Sequence, residues 1–150
     1  QKEADFYLFP GHADGLSTFS KTEADHWANV GMEGLGKLRA AKVIKMPLVG
    51  INEIMDRYGI PDFMSIDVEG LDLEILRTMD FEKYPIKCIC VETVRYNSEQ
   101  KACRDAEILC FMQQQGYSIH VDTGINTIFV NYNWLSTCQK SFVAIRERAK

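Results

Sequence analysis

The sharpest chemistry in the chain lies in Ser65-Ile66-Asp67-Val68-Glu69-Gly70. A short apolar run there delivers two carboxylates at its end, immediately before a glycine and a helical pattern. Acids in such a place can take a proton, hold a hard cation, or accept hydrogen bonds from a bound ligand. Asp67 and Glu69 are two positions apart, which on an extended strand directs both to one side. Glu92 is a third acid, set inside the apolar run IKCICVETV (86–94) and close to its carboxyl end. In open parallel sheets, ligands bind outside the carboxyl ends of the strands. Neighbouring strands that end in these acids are therefore expected to converge Asp67, Glu69 and Glu92 on a ligand. Plainer uses exist for the same residues: Asp67 suits capping the helix that begins near Leu71, and Glu69 suits the positive end of that helix.

The remaining polar candidates are fewer. His12, in Gly11-His12-Ala13-Asp14-Gly15, is placed to touch a substrate. His26 beside Trp27, and His120 in an alternating run, read as surface or packing groups. The chain holds no G-x-S-x-G elbow, Walker loop, G-x-G-x-x-G turn or HExxH pair. The glycines of GMEGLG (31–36) follow a helical pattern rather than a strand, the wrong context for a phosphate turn. No metal site is expected. Five cysteines, at 88, 90, 103, 110 and 138, make an odd set without a CxxC pair. That suits neither a disulfide framework nor structural zinc, and points to buried reduced thiols and a cytoplasmic protein.

The elements that would position these groups punctuate the chain from residue 43 onward. Val43 to Val49 reads as a strand that Pro47 confines to an edge, and Ile51 to Tyr58 as a helix stopped by Gly59. Phe63 to Val68 reads as a strand, and Leu71 to Met79 as a helix with Leu73, Ile75, Leu76 and Met79 as its stripe. Ile86 to Val94 is apolar on both faces, the mark of a central parallel strand. A long helix is expected from Ser98 to Gln115, with Ala102, Ala106, Leu109 and Cys110 inward and Gly116 beyond its end. Tyr117–Asp122 and Thr127–Tyr132 read as a hairpin around residues 123–126, and a last helix covers Leu135 to Arg148. Earlier, Asp5 to Phe9 reads as a strand and Gly11 to Gly15 as a loop, with Thr22 capping a short helix over Glu23 to Asn29. Alternating strands and helices followed by a hairpin make an α/β chain with a mostly parallel sheet.

With 150 residues, 46% of them hydrophobic, the chain is one domain, or a piece of one, with enough length for a core. Its 17 basic and 21 acidic residues leave a net charge of −4, which argues against a nucleic-acid partner. No apolar run approaches the ~18 residues of a membrane helix.

The stretch VIKMPLVGINEIMDRYGIPDFMSIDVEGLDLEILRTMDFEKYPIKCICVETV resembles the core signature of the FkbM-type methyltransferases, class I enzymes that use S-adenosylmethionine. Their pattern runs from a strand through a short helix to a strand ending in K-I-D-V-E-G, then an acidic helix and a strand ending in V-E. Asp67, Val68, Glu69, Gly70 and Glu92 match it; Ser65 stands where the family has Lys, and Asp72 where it has Glu. FYLFPGHADGLSTFS and INTIFVN are similar to the segments that precede and close the signature. The resemblance implies a Rossmann-like class I methyltransferase sheet, mostly parallel with a C-terminal antiparallel hairpin. It also implies methyl transfer from S-adenosylmethionine to a hydroxyl of a small molecule or sugar. Asp67 would be the acid nearest the reacting groups, with Glu69 and Glu92 positioning substrate or a cation. The family's D-x-G-x-N-x-G turn and its later ribose-binding acid do not occur in the chain. The chain is therefore expected to be the substrate-side part of a methyltransferase domain that lacks its first strands. The alternative is a non-catalytic domain acting in binding or assembly. A missing neighbour for the strand Phe63 to Val68 would leave an open sheet edge, through which a homo-oligomer is expected.

Overall fold

A computed structural model describes residues 2–9, 11–30, 42–96 and 102–139 of the chain. They form a mixed α/β structure whose contacts divide it into two compact units. One comprises Gln1–Ile54 with Asp67–Thr78, and the other Met55–Ile66 with Met79–Lys150.

In the first unit, β1 (Lys2–Leu8) pairs antiparallel with β2 (Lys42–Leu48), the register running from Lys2 opposite Leu48 to Leu8 opposite Lys42. Pro47 has no N–H to give and sits in this two-stranded sheet, where each strand is an edge, as its position predicts. Between these strands, a 3₁₀ turn covers Gly11–Leu16 and α1 covers Lys21–Val30. The cap of α1 is Ser20 rather than the expected Thr22: its hydroxyl accepts from Glu23 N at 3.3 Å. Phe9, Ala13 and Ala24 form a small buried core with Tyr7, Leu16 and Trp27 packed on it. The glycines of 31–36 lie outside the described residues.

Helix α2 (Ile51–Tyr58) has its expected bounds and ends on Gly59, whose φ of +92° only glycine tolerates without strain. Helix α3 (Asp72–Thr78), in the first unit, buries Leu73 and Leu76.

The second unit holds a four-stranded sheet in the order β3 (Phe63–Ile66), β4 (Cys88–Glu92), β8 (Asn126–Asn131), β7 (Tyr117–Asp122). β4 is central, as its apolar character predicts. Its buried face carries Ile89 and Val91, and the half-buried face carries Cys88, Cys90 and Glu92. Opposite it, Phe129 pairs with Ile89 and is fully buried. Burial of each such side chain contributes about 1.5–3 kcal/mol. The expected mostly parallel sheet is corrected for the described strands: β3 and β4 run parallel, whereas β4 with β8 and β8 with β7 are antiparallel. The cause lies in β2, which pairs with β1 and is no member of this sheet.

The long helix expected from Ser98 is also corrected. Residues 97–101 lie outside the described residues, and Ala102–Arg104 form β6, paired antiparallel with β5 (Val94–Tyr96). Helix α4 starts only at Ala106 and runs to Gln114. Asp105 makes the break, its carboxylate accepting from Glu107 N at 2.9 Å and Ile108 N at 3.2 Å. The buried positions of α4 are Ile108 and Met112, while Ala102, Ala106 and Cys110 are exposed and Leu109 is half-buried. Gly116, with φ +82°, ends the helix as expected. The β7–β8 hairpin closes through Thr123 N to Asn126 O at 2.9 Å. Residues 132–139 are helical, and the rest of the expected last helix, 140–148, lies outside the described residues.

All five cysteines are free, and none is fully buried, which corrects the expectation of buried thiols. Cys103 and Cys110 are exposed, and Cys88, Cys90 and Cys138 are intermediate. Among the described residues no helix is long and apolar enough to cross a membrane.

Candidate functional site

The acid turn Asp67–Gly70 belongs to the first unit and is held there by residues far away in sequence. Thr18, fully buried, donates its hydroxyl to Glu69 O at 2.7 Å, and Thr18 Oγ1 in turn accepts from Ser20 N at 2.8 Å. Thr18 is itself fixed by backbone bridges with Tyr7, at 2.8 and 3.1 Å. On the other side of the turn the Asp72 carboxylate, buried, accepts from Val68 N at 3.4 Å and also binds the Gly70 amide. Asp72 thus binds amides of the turn that precedes α3.

Held from both sides, Glu69 adopts φ +54°, a left-handed backbone that costs a non-glycine residue about 1–3 kcal/mol. Gly70 follows with φ +92°, and a Cβ at that position would lie 2.5 Å from Glu23 Cγ. Glycine is thus required there twice, by conformation and by space.

The strained residue is also the electrostatically unusual one. Glu69 is half-buried, and loss of solvent pushes its carboxyl up to about 7, with Asp67, Asp72 and Glu23 adding like-charge repulsion. Asp72 moves in the same direction, chiefly from burial, although the backbone amides it binds pull against the shift. Asp67 is exposed at the rim of the turn. His12 is exposed on the 3₁₀ turn Gly11–Leu16, which Phe9 N spans by donating to Ser17 Oγ at 3.1 Å. That turn leads directly into Thr18.

In the second unit, Glu92 is the last residue of β4, half-buried and opposite Asn126. Its position at a strand's carboxyl end is the one expected. The next residue, Thr93, is fully buried, with its hydroxyl 2.6 Å from that of Thr127.

Sequence reasoning found the acids because a charge in an apolar run is conspicuous. It missed Thr18, Glu23 and Arg104, which act through contacts between residues far apart in the chain. It also noted Asp72 without its task. A threonine followed by aromatic and hydroxyl residues carries no local signal of a backbone clamp fifty-one positions away.

No curated protein and no solved structure matches the chain. A family model does: the methyltransferase FkbM domain, over residues 3–119. That span takes in the 3₁₀ turn, the acid turn, β4 and helix α4. The chain belongs to the FkbM methyltransferase domain family.

Proposed function

We propose that the chain serves S-adenosylmethionine-dependent methylation of a hydroxyl on a small molecule or sugar, as the substrate-side part of a Rossmann-like methyltransferase domain. The carrying observation is the acid turn: a glutamate held in strained backbone by Thr18, with a carboxyl raised to about 7. A hydroxyl is a poor nucleophile until its proton leaves, and a base tuned near neutral pH is suited to take it. Glu69 is that base. Backbone strain at a clamped residue is how folds hold a reacting group in one orientation.

Asp67, in the first unit, and Glu92, in the second, are each read as acids that position the acceptor. Ile66 pairs with Val91, and each is followed in the chain by one of these carboxylates at the carboxyl end of a parallel strand. Such ends are where ligands sit in α/β sheets. Carboxylates accept hydrogen bonds from neighbouring hydroxyls, which favours a neutral polyol or sugar over a phosphorylated acceptor that the acids would repel. His12 contributes to holding the acceptor.

S-adenosylmethionine supplies the methyl group when bound. The acidic turn suits a cationic sulfonium in charge, but the described strand-to-helix turns, Val49-Gly50 and Asp67–Leu71, carry one glycine each and no cradle for a nucleoside. The residues described do not make a complete cofactor site, and no step is drawn through it.

The test is incorporation of labelled methyl from S-adenosylmethionine into a panel of sugars and polyols by the chain and by a form extended upstream. Glu69→Gln is expected to lower transfer by about 100-fold or more, and Asp67→Asn and Glu92→Gln by about tenfold each. Full activity in Asp67→Asn and Glu69→Gln would remove both acids from the reaction, and no transfer by wild type in either form would favour a non-catalytic domain acting in binding or assembly.

A further inference from the structure

The carboxyl end of β4 is held by one side chain that reaches both segments flanking Glu92 and its cross-strand partner. Arg104, the last residue of β6, donates through Nη1 to Thr93 Oγ1 at 3.2 Å and to Ile125 O at 3.3 Å. Its Nη2 is ion-paired with Asp122 Oδ1, the oxygen that also accepts from Gly124 N at 2.8 Å. Glu92 pairs with Asn126, so Thr93 and Ile125 are the residues next to that pair on either strand.

The backbone completes the arrangement. Thr93 N and Val94 N both donate to Ile125 O, at 3.0 and 3.1 Å, and Asp105 N donates to Thr93 O at 2.8 Å. While accepting from Arg104, Thr93 Oγ1 also shares a hydrogen bond with Thr127 Oγ1, 2.6 Å away. The planar guanidinium presents several donors in a fixed fork, which a lysine cannot reproduce. One charged group thus reaches a buried hydroxyl pair and ties three backbone segments together.

We propose that Arg104 is a positioning residue for Glu92: it fixes the strand end from which that carboxylate leaves, resting on the reading of Glu92 as a working acid. It touches no reacting atom. The neighbouring pair Arg95 Nε–Asp105 Oδ2, at 2.5 Å, has a different task, tying β5 to the cap of α4. Arg95→Gln is therefore the matched control on the same hairpin.

The test uses the chain labelled for NMR, comparing wild type with Arg104→Gln, Arg104→Lys and Arg95→Gln. In Arg104→Gln, amide exchange at Thr93 and Val94 is expected to speed by at least about tenfold, the scale of lost charge-assisted hydrogen bonds, with Ile89 and Val91 unchanged. The carbon resonance of the Glu92 carboxyl moves from its wild-type position in the same variant. Arg104→Lys restores part of both effects, and Arg95→Gln leaves the Glu92 resonance in place. Unchanged exchange at Thr93 and Val94, loss of protection through Ile89 and Val91 as well, or an equal Glu92 shift in Arg95→Gln each overturns the proposal. Failure of the underlying reading looks different. Wild-type methyl transfer in Glu92→Gln removes the acid's role, while altered exchange in Arg104→Gln still supports the clamp.

Discussion

Glu69 combines two costs that a purely structural residue has no reason to carry. Its left-handed backbone is one, and its burial, with added crowding by Asp67, Asp72 and Glu23, is the other; both oppose folding. The pH dependence of the second cost has a definite sign. The folded carboxyl titrates at about 7 and the ordinary one at 4.5, so between these values the folded chain keeps a proton that the unfolded chain releases. Stability attributable to Glu69 therefore falls as pH rises through that window, and the full penalty stands above about 7. Glutamine has the same backbone strain and no charge, so Glu69→Gln isolates the electrostatic part. It is expected to stabilise the chain by about 1 kcal/mol at pH 8, after allowing for the half-exposure of the group, and by nothing measurable at pH 4. Urea unfolding at both pH values checks this; an equal effect at the two would contradict it. The acids themselves were legible in the sequence, since a charge inside an apolar run stands out. Thr18 and Glu23 were not, because what they touch is decided by the fold.

Elements with local causes were read closely from the sequence. Helix α2 follows from the spacing of Ile51, Ile54, Met55 and Tyr58 and from a glycine free to adopt φ +92°, and the β7–β8 hairpin follows from its turn residues. The region around 102–105 went the other way. Ala102, Cys103 and Arg104 fit a helix by propensity, and the pairing of Val94 with Arg104 that makes them a strand is a tertiary choice. Asp105 then starts α4 by binding two of its first amides. Asp105→Ala is expected to cost about 1–2 kcal/mol by thermal unfolding, with helix loss confined to α4. A cost as small as that of a surface substitution would show that the pairing with β5, not the cap, sets the start of the helix.

The sheet of the second unit ends on β3, which has a partner on one side only among the described strands. Beside that edge, Tyr58, Ile60 and Phe63 are 76%, 50% and 55% exposed. An unpaired edge flanked by apolar side chains recruits other strands. Self-association through β3 is therefore proposed: sedimentation at tens of micromolar is expected to show concentration-dependent dimers or larger species, which Phe63→Lys reduces. A clean monomer in both would contradict it. An open edge at this strand was expected from the family's first strands having no counterpart in the sequence, not from any pattern in the strand itself. The sequence did not anticipate that β2 pairs with β1, because two short strands with exposed faces carry no pattern that names their neighbour.

Proton removal by Glu69 is the step on which the proposed methyl transfer depends. The decisive measurement is the pH profile of methyl transfer to the best sugar or polyol acceptor, in wild type and in Glu69→Gln. Wild-type transfer is expected to rise with pH through an ionisation near 7 and then level off, because the base works only after losing its own proton. Glu69→Gln is expected to lose about 100-fold and the ionisation with it. A Glu69→Gln chain that keeps the wild-type rate and the wild-type profile would contradict the account.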